Sequence, residues 1–469
     1  MTTSQDTITV NTLRGKDSSI VTSSVAGLSV ILQPTVSLPA CQPFTKGFFE
    51  KGDPSVKAAR IEYLKSYVSG LLMVVLTIFT VFAIYWGSLW KVPAHSLRGW
   101  IVDFDGGRVG QMVTQNFLDV NLSNHVIKWK VIPPSRFHKG VTDVAHALKD
   151  EQTWVAVVIN AGASDGLQAA TDNPDPAYNG SQAITVYVVE ARNENAYRAF
   201  IRPIVQVTLE SFKLDFAIQF ASELSFLPNL VDILSSSPQT VANPVSYTLV
   251  NLIPFNQAVA SAVVFVGLIY LLILSFFIVM IAFTARQVSG LEVILSFKSL
   301  VVVRLVSSFC GYFLLSLFYS LLSLAFKLDL TRKYGQGGFL VFWMCNWFGM
   351  LSVGLALESL ITLLTPKYIP FFMILWIIVD VSVCIFPIDV LPRIFHYGYA
   401  APFYNVSKSI RSLAFGTKDT LGLNFGILMI WILISCITLP AIQWYVRWKQ
   451  IKVIKSASRP APEEKKEDV

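Results

Sequence analysis

Three ionisable residues lie inside long apolar runs: Arg304, Glu358 and Asp380. A charge at bilayer depth costs roughly 2.5–3.5 kcal/mol at a helix centre on insertion scales, so it is kept for a reason. A carboxylate in that position can line a water-filled or polar path. It can equally close an internal ion pair, or bond to a neighbouring helix as a protonated carboxyl. Asp380 falls near the middle of its run, and Glu358 about a turn and a half from the end of its own. With Arg304 they form the candidate substrate path. Arg304 sits near the end of its run, where a long stem would let the guanidinium snorkel to the interface.

Other chemistry is sparsely signalled. No Walker A, GxSxG or HExxH pattern occurs, and His95, His125, His138, His146 and His396 are scattered. No catalytic residue, metal site or cofactor is therefore expected, and the chain reads as a non-enzyme. Of the five cysteines, Cys41 lies in the N-terminal tail and Cys310, Cys345, Cys384 and Cys436 lie in apolar runs. Residues 91–257 hold none, so that segment must rely on its own core rather than on disulfides. The stretch Asp103-Phe-Asp-Gly-Gly-Arg-Val-Gly110 sits at a strand-to-helix turn. Its glycines could present N–H groups to an anion and its two aspartates could touch a cation. The glycine spacing does not match a nucleotide fingerprint. The simpler reading is a tight connection in which Asp105 caps the helix.

The elements that position these residues are membrane spans. Only 14% of the 469 residues are charged, 53% are hydrophobic and the mean hydropathy is +0.55. Soluble domains carry roughly a quarter charged residues, so much of this surface must face lipid. Six runs approach the ~20 residues needed to cross a bilayer: 67–90, 258–283, 300–326, 339–364, 371–391 and 421–446. The predicted fold class is an α-helical integral membrane protein with six transmembrane helices, one plus five, and a non-cytosolic α/β domain between the first and second. Trp90, Trp343, Trp376, Trp444 and Trp448 suit an aromatic belt at span ends. Ser316 and Ser320 form a small-xxx-small pair suited to close helix packing. No apolar region follows a basic start within the first 30 residues, so no cleavable signal peptide is expected and the first span serves as signal anchor.

Orientation follows from Lys and Arg. Lys46, Lys51, Lys57, Arg60 and Lys65 precede the first span, and Arg447, Lys449, Lys452, Lys455 and Arg459 follow the last. The positive-inside rule makes both ends cytosolic, and the net charge of +7 is read as span-flanking rather than as a nucleic-acid signal. The expected layout is a mostly disordered tail over 1–66, a span over 67–90, the α/β domain over 91–257, a five-helix bundle over 258–446 and a cytosolic tail over 447–469. The end of that tail, 456–469, is rich in Pro, Glu and Lys and is expected to be disordered. Lys327, Arg332, Lys333, Arg393, Lys408, Arg411 and Lys418 run against the rule, since all would lie outside. The segment 396–416, with Pro402, Lys408 and Arg411 among aromatics, reads as an interfacial or re-entrant helix, or else as a plain external loop. Asn121, Asn179 and Asn405 begin Asn-x-Ser sequons, all on the predicted non-cytosolic side, and are glycosylation candidates.

Within 91–257 the period changes. Strands are predicted over 99–104, 126–132, 154–159 and 184–189, and helices over 109–122, 140–149 and 164–170. A helical pattern interrupted at Pro203 covers 194–227, and 228–254 reads as a Pro- and Ser-rich return to the membrane. Alternation of strands and helices argues for a small α/β domain.

Four phrases carry a resemblance: Val102-Asp-Phe-Asp-Gly106; Asn251-Leu-Ile-Pro-Phe-Asn-Gln257 leading into Val266-Gly-Leu-Ile-Tyr-Leu-Leu-Ile-Leu-Ser-Phe276; Tyr312-Phe-Leu-Leu-Ser-Leu-Phe-Tyr319; and Tyr334-Gly-Gln-Gly-Gly-Phe-Leu-Val-Phe-Trp343. Over about residues 64–449 the chain resembles the fungal nitrosoguanidine-resistance membrane proteins. Their layout is similar to that of ABC-2-type exporter permeases and of bacterial phage-receptor-like membrane proteins. The resemblance implies resistance to toxic compounds and residence in a fungal plasma membrane or endoplasmic reticulum. It brings no established catalytic residues.

Two functions remain open. One is an exporter or permease-like protein moving toxic or lipidic molecules along a polar path near Asp380, with a separate ATPase docking at 286–298 if it is ABC-2-like. The other is a non-transporting factor that alters lipid distribution or the trafficking of other transporters. The partners expected are the bilayer, a second copy of the chain, and an ATPase subunit or other membrane proteins; nucleic acid is not expected.

Overall fold

A computed structural model describes residues 46–123 and 126–457. The tail expectations for 1–45 and 458–469, together with Cys41, His125 and the Asn121 side chain, lie outside the described residues. The chain divides into two units at Ser69. In the first, Asp53 opens helix α1 (Pro54–Leu89), which runs on into the second unit from Gly70, by accepting hydrogen bonds from the Ser55 amide (2.8 Å) and hydroxyl (2.6 Å). This is an N-cap that satisfies donors the helix leaves open. The most apolar window of α1 has none of its residues buried, as expected of a segment solvated by lipid.

In the second unit the α/β domain comes first. It contains β1 (Leu97–Asp103), α2 (Arg108–Ser123), β2 (Ile127–Val131), α3 (Val141–Lys149), β3 (Val155–Ile159), α4 (Ala163–Asp172), β4 (Ile184–Val188), α5 (Arg202–Leu224) and β5 (Tyr247–Asn251). The sheet order is β2-β1-β3-β4-β5. β1 runs parallel to β2 and β3, β4 is antiparallel to β3, and β5 is parallel to β4. Side chains alternate between two cores, as the period of a strand demands. Ile101, Val157 and Val186 point to a core closed by α2 and α5, with Val113, Phe117, Val205 and Phe216. Trp100, Val102, Ala156 and Val158 point the other way, into a cluster that runs without a break through α3 into the membrane helices.

The first four strands fall where periodicity predicts them. The fifth lies in the stretch read as a return loop. Tyr247–Asn251 is short and only partly buried, so it carries no alternation strong enough to mark a strand; pairing with β4 makes it one. Pro203 does not interrupt its helix. A π-turn at Tyr197–Ile201 precedes it and α5 continues to Leu224, since a proline at the start of a helix removes an N–H that had no partner.

The bundle contains α6 (Ala262–Val288), α7 (Phe297–Ala325), α8 (Gly338–Val381), α9 (Pro402–Phe415) and α10 (Leu421–Ala457). Five helices among the described residues, α1 included, are long and apolar enough to cross a membrane. α8 is not straight. Thr365 has φ 63° and ψ 163°, and Pro366 follows it. Distances between its two arms show how sharply it bends. Gly349 and Asp380 are 31 residues apart, which is about 46 Å in a straight helix. Yet Val406 lies 3.0 Å from where a Cβ on Gly349 would sit, and the Phe403 amide bonds Asp380 at 3.3 Å. Both arms therefore touch the same turn of α9, and the chain reverses at Thr365.

The helix ends at Val381. The span predicted to run through residue 391 stops there, and 382–391 form turns, with Asp389 in a short 3-10 segment. Most of α9 is buried, which corrects the external-loop alternative for 396–416: this is a packed helix. On α7, Ser316 and Ser320 are fully buried and accept bonds from Trp343 Nε1 (3.1 Å) and Asn346 Nδ2 (2.9 Å) of α8. The small pair serves close packing, as its spacing suggests.

Candidate functional site

The predicted path residues separate into two places. Arg304 does not snorkel. It is 1% exposed, its Nε meets Glu358 Oε1 at 2.7 Å, its Nη1 meets Gln443 Oε1 at 2.6 Å, and it also donates to the Glu358 carbonyl. Arg286 Nη2 reaches the same Glu358 oxygen at 2.9 Å. One carboxylate thus holds two guanidinium groups, and the cluster joins α6, α7, α8 and α10 at the end of the bundle far from the α/β domain. Arg286, the first residue of the 286–298 segment expected to dock an ATPase, is itself 5% exposed and held by Glu358. Hydropathy alone cannot see this arrangement: a single arginine near a span end looks the same whether it turns outward or inward.

Asp380 is elsewhere. It is 1% exposed and its Oδ1 accepts from the Phe403 N–H at the start of α9. Ala401, the residue at the cap position, has no side chain able to do this. The Asp380 carboxyl of α8 therefore supplies in trans the acceptor that a Ser or Asp normally supplies in cis.

The Asp103–Gly110 turn is a tight connection, tighter than predicted. Asp105 Oδ1 accepts from the Ser164 amide (2.9 Å) and its Oδ2 from the Ser164 hydroxyl (2.5 Å) and the Gly107 amide (3.2 Å). Ser164 Oγ accepts in turn from the Val109 amide at 2.9 Å. Asp105 thus pins the starts of α2 and α4 together. Among the described residues no group of three metal-ligating side chains occurs.

The feature that sequence reasoning missed is a cavity of about 580 Å3 where the α/β domain meets the bundle. The domain supplies Glu151, Trp154, Arg192 and Arg98, the 382–391 turns supply Asp389, α9 supplies Lys408 and Arg411, and α10 supplies Leu423 and Ile427. Lys408 Nζ contacts both Glu151 oxygens at 2.7 Å. Arg192 lies 3.6 Å from both Glu151 and Asp389, with its Cζ 3.4 Å from the centre of the Trp154 ring. Burial lowers the Arg192 pKa, and the two nearby carboxylates oppose that pull. Lys408 is lowered in the same way against Glu151. Burial and the neighbouring Asp389 push Tyr399 up to about 12, so it remains a hydroxyl that donates to Asp389 at 3.1 Å. Arg411 bonds the Ala191 carbonyl at 3.1 Å and pairs with Glu194.

One sequence signal pointed here. Lys408 and Arg411 break the positive-inside count, and both are matched by acids of the α/β domain. Lys333 is likewise matched by Asp419 at 2.9 Å. The partners come from distant parts of the chain, so the match is invisible until it folds.

Of the sequon residues, Asn179 is exposed, its Oδ1 accepting from Ser181. Asn405 is 1% exposed and its Nδ2 donates to the Tyr399 and Ala401 carbonyls at 3.0 and 2.8 Å. A glycan on that nitrogen is incompatible with this packing, which removes Asn405 as a candidate.

Apolar helices of spanning length, a mixed five-stranded sheet and a charged seam between them define a multi-pass membrane protein with an appended α/β domain. Residues 70–437 match the model of a family described as protein of unknown function (DUF3533), and the chain belongs to that family. It is 24% identical over 443 residues to an uncharacterized endoplasmic reticulum membrane protein, YJR015W, of Saccharomyces cerevisiae, covering 87% of this chain and 85% of that one. No solved structure matched the chain.

Proposed function

We propose that the protein takes up amphipathic molecules, lipidic or toxic, at the non-cytosolic face of the endoplasmic reticulum membrane and exports them. It would act there as a non-enzymatic, permease-like protein of the nitrosoguanidine-resistance type with ABC-2-like layout. The observation that carries this reading is the cavity between the α/β domain and the bundle, which joins charged and aromatic walls to the apolar side chains Leu423 and Ile427 on a membrane helix. Pockets of this size hold drug-sized ligands. The membrane assignment draws on the yeast relative, whose name places it in the endoplasmic reticulum.

Six crossings fit the geometry better than five. The α/β domain bonds the 382–411 segment directly, so an even number of crossings must separate them. α6 and α7 provide two, and the reversal at Thr365 lets α8 provide two more. Both termini are then on one side, which the flanking Lys and Arg make cytosolic.

A second reading has its own support. Arg286, Arg304 and Glu358 are tied to one another and Asp380 caps a helix, so the intramembrane charges hold the bundle together. That arrangement suits a non-transporting factor affecting lipid distribution or trafficking. The test is accumulation of a labelled toxic compound in a host lacking the protein, with and without wild type or Leu423→Trp at equal membrane abundance. Lower accumulation with wild type, lost in Leu423→Trp, supports export through the seam. Resistance with unchanged accumulation overturns export and favours the second reading.

A further inference from the structure

The cavity at the seam carries a surplus of charge. Five cations line it, Arg98, Arg192, Lys408, Arg411 and Lys418, against two acids, Glu151 and Asp389. Glu194 answers Arg411 from behind the wall. Two cations remain in excess, and the contacts identify them. Among the described residues, neither the Arg98 nor the Lys418 side chain has a hydrogen bond or an acid within ion-pair distance, and both are exposed. Arg98 is also near enough to Arg192 to repel it. Cations left without a counter-charge in a partly enclosed cavity draw anions into it.

The remaining wall says where that anion comes from. Lys418 lies three residues before Leu421, the first residue of α10, so it stands at the depth where a span begins and headgroups lie. Leu423 and Ile427, four apart on one helix face, continue from the charged region along a lipid-facing span. Leu423 is 67% exposed. A soluble anion would gain nothing from that apolar strip, whereas an acyl chain would bury against it.

We infer that the cavity binds an anionic phospholipid, its phosphate drawn in by the uncompensated cations Arg98 and Lys418 and its acyl chains lying along Leu423 and Ile427. The inference rests on the amphiphile-handling reading above and names its ligand.

Both cationic side chains are exposed and unbonded, so replacing them leaves the fold in place. The experiment uses the full-length chain purified in non-ionic detergent and measures binding of phosphatidic acid with a fluorescent acyl chain. Saturable binding is expected, weakened about tenfold or more by Arg98→Gln with Lys418→Gln, since each charge-assisted bond is worth roughly that factor. Lys139→Gln, an exposed cation of the same domain outside the cavity, should bind as wild type does. Diacylglycerol should not displace the probe, and glycerol 3-phosphate should not displace it at about a hundredfold excess. Wild-type affinity in the double variant overturns the assignment, and so does equal displacement by diacylglycerol. Displacement by glycerol 3-phosphate at matching affinity overturns the lipid source in favour of a soluble phosphate. Lipid binding without any change in compound accumulation would sink export and leave the site standing. Loss of export in Leu423→Trp with no phosphatidic acid binding would sink the site alone.

Discussion

Glu358 is the residue on which the membrane bundle turns. It neutralises two arginines from two other helices, and its removal leaves both buried without a counter-charge. Breaking a buried pair by deleting one partner costs about 3–5 kcal/mol. Glu358→Gln is therefore expected to lower the unfolding midpoint of the detergent-solubilised protein steeply, in a thermal scan read by size-exclusion recovery. Arg304→Lys should lose part of that amount, because an ammonium cannot span Glu358 and Gln443 as the planar guanidinium does. Asp380 separates charge from hydrogen bonding. Asp380→Ala removes the acceptor at the α9 N-terminus and should cost about 0.5–2 kcal/mol, whereas Asp380→Asn retains an oxygen for the Phe403 amide. Cap loss predicts a lower midpoint for Ala than for Asn. If Asn alone abolishes export at normal stability, Asp380 acts through its charge, and the path reading that its position in the span suggests is right.

At the scale of elements, the proposed six-crossing topology rests on the reversal in α8. Thr365 adopts a backbone conformation that only glycine enters freely, and a β-branched residue held there stores about 1–3 kcal/mol. Thr365→Gly should therefore raise the midpoint or leave it unchanged despite the flexibility glycine adds to the unfolded chain. A drop of more than about 1 kcal/mol would show that the Thr side chain contributes more than its conformation costs. The same reversal predicts that Lys367, exposed at the turn, lies on the side of the membrane opposite the α/β domain. A cysteine placed there should react with a membrane-impermeant maleimide applied from the cytosol, in intact microsomes. Labelling only after the membrane is opened would return α8 to a single crossing.

For the whole molecule, the decisive question is which side carries the α/β domain. Asn179 is exposed on that domain and Asn405 is buried in the seam. A lumenal domain then predicts one endoglycosidase-sensitive shift that Asn179→Gln removes and Asn405→Gln leaves alone, on a background lacking Asn121. The seam itself should resist separation. Lys408–Glu151, Arg192 with Glu151 and Asp389, and Arg411–Glu194 all join the domain to the bundle, so the two are expected to unfold in one transition.

Much of this architecture is written locally and so is legible in the sequence. Runs of apolar residues must enter lipid because nothing else solvates them, which is why α1, α6, α7 and α10 fall where hydropathy alone puts a span. Alternation with period two marks β2, whereas β3 shows as an unbroken apolar run because both of its faces pack on a core. What the sequence could not reveal depends on partners far apart in the chain. β5 is a strand only because β4 offers it a ladder. Arg304 turns inward because Glu358, 54 residues away, is there to meet it. Lys408 tolerates burial because Glu151, 257 residues earlier, supplies both oxygens. A periodicity reports where a residue's surroundings are apolar, and only the tertiary structure decides which charges those surroundings bring face to face.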